Sequence, residues 1–194
     1  MNMKVTIRKR LNSELKRTFV ALHPTPKIRK EIENLILELS KMNNGIKWIR
    51  SDDSHLTLHF LGNLNQAQIE KVDSTIKRII KGFGLVEFEL KDLNAFPNLL
   101  YPQVLFLEVE QISGNSMLDL QKKIGEKIAE MNINIDSRPW QAHFTLGRVK
   151  DFQPITLIKP KFKEREFVVR SIVLMESVLN IEGSEYKTIK NYRL

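Results

Sequence analysis

The residues in this chain best suited to chemistry are histidines, because imidazole is the side chain that ordinarily titrates near neutral pH. Two of the four histidines begin the same four-residue pattern, His-x-Thr-Leu, at residues 55–58 and 143–146. Both stretches alternate polar and apolar side chains, which is typical of a β-strand with one buried face. The histidine and the threonine of each motif should therefore lie on one face of a strand, about 7 Å apart along the backbone.

Two such pairs, brought together from two strands, could displace an oxygen at phosphorus. One imidazole would remove a proton from the attacking water while the other protonates the departing oxygen. Thr57 and Thr145 could donate hydrogen bonds to the non-bridging oxygens, whose negative charge grows in the transition state. We therefore predict that His55 and His143, together with these threonines, are catalytic and that the reaction needs no metal. The alternative is that both are ordinary core or surface histidines.

The other two histidines are interpreted as structural. His23 is also followed two places later by a threonine, but Pro24 and Pro26 are incompatible with a regular inner strand. Pro26 suits the first turn of a helix, so we predict that His23 lies just before that helix. His59 should share a strand face with His55 if strict alternation continues. We interpret it as a packing or supporting residue, because no third ligand at a typical metal-binding spacing accompanies it.

Four further side chains are candidates for contacts with a substrate. Arg148 follows the second motif and could clamp a phosphate oxygen, although a surface salt bridge is an equal alternative. Trp48 precedes the first motif and could stack on a nucleobase, although buried packing is at least as common for tryptophan. Phe60 and Tyr186 are weaker candidates for substrate contacts.

The formal net charge of +8 is concentrated at the N-terminus, where residues 1–17 hold six lysines and arginines against one acidic residue. A basic segment of this kind can attract nucleic acid, and the alternative is a solvated tail. We predict a basic N-terminal arm at residues 1–16, followed by one domain over residues 17–194.

The amino-acid composition excludes several classes of protein. The chain has no cysteine, which excludes disulfides, thiolate metal sites and cysteine nucleophiles. No apolar run approaches the roughly 18 residues of a membrane span. Both features fit a cytoplasmic protein.

Helical spacing of apolar residues predicts three helices, which we place at about 26–42, 65–79 and 117–131. Short runs that are either apolar throughout or alternate with polar residues predict strands at 18–22, 46–50, 55–61, 86–90, 104–110, 142–149, 167–178 and 186–192. Residues 94–102 and 151–165 are predicted to be loops. Each half of the chain thus has a helix, a turn and then a β-segment that opens with His-x-Thr-Leu. This mixture predicts an α+β fold with largely antiparallel sheet.

In these motifs the chain resembles the two-histidine phosphoesterase superfamily, and more narrowly the RNA 2′,3′-cyclic phosphodiesterases, also called 2′-5′ RNA ligases. Each matching motif is short, but their order along the chain is specific. The matching residues are Arg17–Leu22, Trp48, His55–Gly62, Phe96–Asn98, Arg138-Pro139, His143–Arg148, Ser177, Leu179, Gly183 and Tyr186.

The resemblance implies a bilobal α+β fold of the LigT-like type, in which two pseudo-symmetric lobes of mainly antiparallel sheet, with outer helices, flank a central cleft. It implies opening of 2′,3′-cyclic phosphates, at RNA ends or on nucleosides, to 2′-phosphomonoesters without metal or cofactor. His55 would be the proton donor and His143 the proton acceptor, with Thr57 and Thr145 contacting the phosphate. A monomeric cytoplasmic enzyme of RNA processing is expected.

Two alternatives to simple hydrolysis stay open at this point. Reversible 2′-5′ ligation would use the same site, and a binding module of the same fold would recognise nucleotides or RNA ends with little turnover. The chain also departs from the family pattern in two places. Residues 1–16 precede the usual start, and the loop Phe96–Pro102 is apolar where a basic residue is often found, which bears on substrate preference.

Overall fold

The structure is a computed structural model, and it describes residues 15–150, 154–180 and 183–194. Residues 1–14, which make up most of the predicted basic arm, lie outside the described residues, as does the start of the predicted loop 151–165. The first strand begins at Lys16, so the last residue of the predicted arm belongs to a sheet.

Three α-helices and nine β-strands make up the described part of the chain. The helices are α1 (Pro26–Ser40), α2 (Gln66–Ile79) and α3 (Met117–Ala129). None of these described helices is both long and apolar enough to cross a membrane. The strands are β1 (Lys16–Leu22), β2 (Ile46–Trp48), β3 (Leu56–Leu64), β4 (Val86–Phe96), β5 (Val104–Gly114), β6 (His143–Val149), β7 (Glu166–Val169), β8 (Ser171–Asn180) and β9 (Gly183–Arg193).

The strands form two sheets, one for each lobe. Sheet A has the order β3-β1-β8-β9 and sheet B the order β2-β6-β5-β4-β7, and the described pairings are antiparallel. The first His-x-Thr-Leu motif lies at the edge of sheet A, and the second lies inside sheet B. The predicted bilobal α+β fold, with one motif in each lobe, is confirmed.

The two lobes do not correspond to the two halves of the sequence. β8 and β9 complete sheet A beside β1, while β2 from the first half pairs with β6. The chain passes from sheet B to sheet A at Arg170. The single strand predicted over residues 167–178 is therefore wrong, because the polar pair Arg170-Ser171 that interrupts this apolar run marks the change of sheet.

The predicted starts of α1 and α2 are confirmed to within one residue, and a capping residue stands before each helix. Thr25 caps α1, and its hydroxyl oxygen accepts a hydrogen bond of 3.4 Å from the backbone N–H of Ile28. Asn65 and Gln68 form a reciprocal capping box at α2, with hydrogen bonds of 2.9 and 3.0 Å. His23 lies two residues before the Thr25 cap, as predicted.

The loop predicted over residues 94–102 begins too early. β4 continues to Phe96, which pairs with Val104 of β5. Asn94 has weak strand propensity, but pairing with a neighbouring strand outweighs such a local preference. The connection that remains is short, and a backbone hydrogen bond of 2.8 Å from Gln103 to Phe96 closes it.

One continuous hydrophobic core joins the two sheets to the three helices. The apolar members of the motifs belong to it, since Leu56 and Phe144 are each 1% exposed. The imidazoles lie on the opposite faces of their sheets, which we call the cleft faces. A smaller cluster, against which Tyr186 packs, covers the cleft face of sheet A. Its buried members are Phe19, Ala21, Val173 and Met175.

Candidate active site

His55 stands immediately before β3, on the cleft face of sheet A. Its Nδ1 lies 2.7 Å from the carbonyl oxygen of Asp53. A carbonyl oxygen only accepts hydrogen bonds, so we assign the proton to Nδ1, which leaves Nε2 as the atom that exchanges protons. Asp53 is the last residue of a 3-10 turn, Ser51–Asp53, which fixes the position of its carbonyl.

His143 is held in the same way on sheet B. Its Nδ1 lies 2.8 Å from the carbonyl oxygen of Gln141, which is again two residues before the imidazole. Nε2 is therefore the exchanging atom in both rings. Two imidazoles oriented by matching backbone acceptors can each give or take a proton at one defined atom, as an acid–base pair requires.

Trp140 connects the two motif strands directly. It precedes β6, and its indole Nε1–H donates a hydrogen bond of 2.8 Å to the carbonyl oxygen of Thr57 in β3. Because β3 is the edge strand of sheet A, one side of its backbone is available to another element. The two His-x-Thr motifs are thus held against each other through this indole.

Each imidazole rests against two aromatic rings of its own sheet. Such contacts fix the plane of a ring and keep water from its sides. Of these four aromatic residues only Tyr186 is a predicted site residue. The other three are brought to the imidazoles by strand register, which the sequence pattern does not predict. The centroid distances are 4.8 Å from His55 to both Phe19 and Tyr186, and from His143 they are 5.1 Å to Phe96 and 4.9 Å to Phe106.

A β-bulge follows the threonine in both motifs. The pairing register skips Leu58 in β3 and Leu146 in β6, which are the fourth residues of the two motifs. A bulge adds one residue to a strand and so exchanges the faces of the residues that follow it. The fifth residue after each histidine, Phe60 in one lobe and Arg148 in the other, therefore lies on the cleft face. Phe60 is 54% exposed, and its ring centroid lies 6.2 Å from that of Phe19.

The prediction that His59 shares a strand face with His55 is wrong, and the bulge at Leu58 is the reason. His59 turns into the core, where it is 5% exposed and its Nε2 lies 2.7 Å from the carbonyl oxygen of Gln121 in α3. The interpretation of His59 as a packing residue is confirmed. Its ring also lies against Gly125, where a Cβ atom would be 2.6 Å from Cε1 of the imidazole.

Replacing Gly125 with alanine should lower the free energy of unfolding by about 1–3 kcal/mol, because the new methyl group must displace the His59 ring. At an unobstructed helical position the same change would stabilise a protein by up to about 1 kcal/mol. Thermal unfolding followed by circular dichroism measures the difference. In a His59→Ala background the clash is absent, so Gly125→Ala should be neutral or stabilising there. Equal destabilisation in both backgrounds would contradict this packing.

Trp48 does not stand beside either imidazole. It pairs with Gly147 in the register of β2 and β6, and a Cβ at Gly147 would lie 3.1 Å from its Cε3. The half-buried ring packs against the main core. The geometry therefore supports a packing role for Trp48 and gives no support to base stacking.

A polar network that sequence analysis did not predict lies beside His143. Glu108 of β5 is the register partner of His143, and its carboxylate accepts hydrogen bonds from Asn94 at 2.7 Å and from Gln141 at 3.4 Å. Gln141 is the residue whose carbonyl orients the imidazole, so the network steadies that contact. In the part of the chain that the structure describes, no three histidine or carboxylate side chains are grouped to hold a metal ion.

The pKa values of His55 and His143 both lie below the ordinary value for histidine. For His55, burial lowers the pKa most, the hydrogen bond to Asp53 opposes this, and the charges of His23 and His143 lower it further. For His143, burial lowers the pKa and the hydrogen bond to Gln141 opposes it. Both rings are therefore mainly neutral at neutral pH.

Comparison with known sequences links this geometry to a family. Residues 22–106 match the LigT-like phosphoesterases, a stretch that contains the first motif. The chain is similar to the RNA 2′,3′-cyclic phosphodiesterase of Thermotoga maritima, with 26% identity over 186 residues that cover 89% of this chain and 92% of the relative. It is also similar to that of Archaeoglobus fulgidus, with 27% identity over 178 residues that cover 90% of this chain and 98% of the relative.

Solved structures share the fold. A protein of Thermus thermophilus superposes with a TM-score of 0.80 at 23% identity, covering 92% of this chain and 97% of its own. E. coli LigT complexed with 3′-AMP superposes with a TM-score of 0.76 at 21% identity, covering 93% of this chain and 99% of its own. At such identities the likeness concerns the fold.

Proposed function

We propose that the chain is an enzyme of the LigT-like phosphoesterase family and that it hydrolyses RNA 2′,3′-cyclic phosphate ends to 2′-phosphomonoesters. The observation that carries this proposal is the matched orientation of His55 and His143, each with Nδ1 on a backbone carbonyl and Nε2 left to exchange protons. The names of the relatives support the substrate class. The 3′-AMP complex of E. coli LigT supports a site for a nucleotide phosphate in this fold.

The proposed reaction adds water across the bond between phosphorus and O3′. His143 accepts a proton from the water as its oxygen attacks phosphorus, and His55 donates a proton to O3′ as that bond breaks. The phosphate stays on O2′, and proton exchange with solvent restores both imidazoles. The division into donor and acceptor follows the family resemblance. The matched Nδ1 contacts are compatible with either histidine as the donor.

Thr57 and Thr145 are proposed to hold the non-bridging phosphate oxygens. Each is half-buried and lies two residues after its histidine, before the bulge that exchanges the strand faces. Hydroxyl donors fixed on strands stabilise developing charge without rearranging during the reaction. Arg148, exposed on the cleft face beyond the second bulge, is proposed to contact the same phosphate.

Phe60 and Tyr186 are proposed to contact the nucleoside. Tyr186 meets the His55 ring edge-on, at an interplanar angle of 73°. Phe60 offers an exposed ring nearby, and stacking on such a ring tolerates every base. Since Phe60 and Arg148 occupy equivalent places in the two lobes, one wall of the cleft would hold the base and the other the phosphate.

Three further features belong to this proposal. The same groups fit a reversible ligation, in which the 5′-hydroxyl of a second RNA attacks phosphorus in place of water, the bond to O3′ breaks and a 2′-5′ linkage forms. Residues 17–194 are proposed to act as a monomeric phosphoesterase body without a cofactor. The basic residues of the arm, residues 1–16, are proposed to draw RNA towards it.

The value of kcat/KM should fall as the pH rises above about 6.5, because the proton donor must be charged and both pKa values lie below 6.5. One imidazole must be protonated and the other neutral, so the rate is greatest between their two pKa values. A bound phosphate anion favours the charged imidazole and raises its pKa. The alkaline limb of kcat should therefore lie at higher pH than that of kcat/KM. Coincident limbs, or a flat profile between roughly pH 5 and pH 8, would contradict this account.

The assay that tests the proposed function uses adenosine 2′,3′-cyclic phosphate, purified protein and an excess of chelator. We expect hydrolysis to adenosine 2′-phosphate alone, identified by chromatography against the 2′- and 3′-phosphate standards. Exclusive formation of the 3′-phosphate would contradict the bond assignment. Activity that chelator abolishes and a divalent cation restores would contradict a metal-independent reaction. Saturable binding without turnover would favour the binding-module alternative.

A further inference from the structure

A groove of about 540 Å³ opens on sheet A beyond the aromatic rings that hold His55. It lies where β1, β3 and β8 continue past the imidazole, and the proposed acid–base chemistry makes no use of it. Its lining includes Leu15, Arg17, Asn63, Glu176, Ser177 and Leu179.

The groove continues the wall against which His55 rests. Arg17 and Phe19 are two residues apart in β1, so they share a face and lie about 7 Å apart. Phe19 contacts both His55 and Tyr186, and Tyr186 is the register partner of Ser177 in the groove. A bound chain that leaves His55 along this face therefore passes Phe19 and then reaches Arg17.

The charges of the groove favour an anion. Arg17 is exposed, and none of the ion pairs among the described residues includes it. The acidic lining residue, Glu176, is paired with Lys16 at 3.0 Å. Arg17 is therefore the charged residue of the described groove lining that no ion pair neutralises.

An exposed aromatic ring stands between the imidazole and the groove, where a base can stack on it. Phe60, 54% exposed, is the register partner of Phe19, and Asn63 of the groove is the register partner of Arg17. Phe60 thus stands between the imidazole and Arg17. Leu179 of β8 adds exposed apolar surface on the side of the groove opposite Asn63. A cation in line with an exposed ring is the combination by which proteins hold single-stranded RNA.

We propose that this groove binds the RNA chain on the 5′ side of the cyclic phosphate, with Arg17 contacting the phosphate that joins the last two nucleotides. The inference rests on the proposed function, because it gives a path to the rest of that substrate. It follows that the enzyme distinguishes the end of an oligonucleotide from a free nucleoside 2′,3′-cyclic phosphate.

The test compares kcat/KM for adenosine 2′,3′-cyclic phosphate and for a tetraribonucleotide that ends in the same group. The wild-type protein should prefer the tetranucleotide. Arg17→Gln should lower kcat/KM for the tetranucleotide about tenfold, the effect of losing one charge-assisted contact, and leave the mononucleotide value unchanged. The slope of log affinity against log salt concentration should become shallower by about 0.7.

Two further variants separate a local contact from a general change of charge. Arg78→Gln removes the same charge from an exposed position on α2, outside the groove, and should leave kcat/KM unchanged for both substrates. Asn63→Asp adds a negative charge beside Arg17 with almost no change in shape. It should lower kcat/KM for the tetranucleotide and leave the value for the mononucleotide unchanged. An equal loss from Arg17→Gln and Arg78→Gln would overturn the proposal.

A binding measurement keeps this inference separate from the proposed function. The His55→Ala/His143→Ala protein is titrated into the 5′-labelled tetranucleotide, with and without Arg17→Gln, and fluorescence anisotropy gives the affinity. About tenfold weaker binding with Arg17→Gln supports the groove even if the wild-type protein turns over neither substrate. Unchanged affinity overturns the groove. Unchanged kcat/KM of the Arg17→Gln protein on both substrates would refute the groove and leave the proposed function standing.

Discussion

Replacing either His55 or His143 with alanine should lower kcat on adenosine 2′,3′-cyclic phosphate by about 10²–10⁴-fold. Each imidazole has Nδ1 on a backbone carbonyl, which leaves Nε2 to exchange protons. The two groups act in one step, so the double variant should lose little more than the worse single variant. Steady-state rates of the three variants measure this directly.

The pH profiles of the single variants assign the two roles. Without the donor His55 the rate should no longer fall at high pH, and without the acceptor His143 it should no longer fall at low pH. The reverse pattern would exchange the roles, and unchanged limbs in both variants would contradict acid–base catalysis. His59→Gln is the matched control, because His59 is a buried imidazole on the same strand with its Nε2 on the Gln121 carbonyl. It should change stability and leave both limbs in place.

Removing the hydroxyl of Thr57 or Thr145 should lower kcat by about 10²–10³-fold, the usual effect of deleting one donor to a developing oxyanion. Valine has nearly the shape of threonine, so Thr57→Val and Thr145→Val delete the donor and preserve the strand. The loss should appear in kcat more than in KM, because the charge on the phosphate oxygens grows on the way to the transition state.

Serine supplies the control for the threonine experiment. Thr57→Ser and Thr145→Ser keep the hydroxyl and should retain most of kcat. Thr75→Val, at a buried position on α2 away from the cleft, should leave the rate unchanged. A serine variant as slow as the valine variant would show that the methyl group matters, and the oxyanion role would then be wrong.

Much of the candidate site follows from local sequence. Alternation places His55 with Thr57, and His143 with Thr145, on faces opposite the buried Leu56 and Phe144, and the structure confirms this separation. Alternation is a local rule, so it holds over the few residues of each motif. The prediction that Pro26 lies in the first turn of α1 is likewise local, and the structure confirms it.

Alternation fails where a strand bulges. The extra residues at Leu58 and Leu146 turn His59 into the core and bring Phe60 and Arg148 to the cleft. The residue type at Leu58 and Leu146 does not predict a bulge, because a bulge depends on the partner strand as well as on the residue itself. Phe60 and Arg148 were selected for their side-chain chemistry, and the face that makes them useful could not be predicted.

Contacts between distant segments were also beyond sequence patterns. The rings around the imidazoles come from β1, β4, β5 and β9, and the indole of Trp140 reaches the Thr57 carbonyl 83 residues away. The change of sheet at Arg170 decides that β8 and β9 stand beside β1. These features depend on which strands pair. The residues of a strand predict which of its faces is buried far better than they predict which other strands it pairs with.

The most direct test of the central claim is a single-turnover measurement with enzyme in excess over adenosine 2′,3′-cyclic phosphate, in the presence of chelator. Enzyme in excess makes each rate constant report the chemistry at the site. The wild-type protein should convert the substrate fully to the 2′-phosphate, while the His55→Ala/His143→Ala protein, shown by circular dichroism to be folded, should be slower by at least about 10²-fold. Equal rate constants for the two proteins would contradict the assignment of these histidines as the acid and the base.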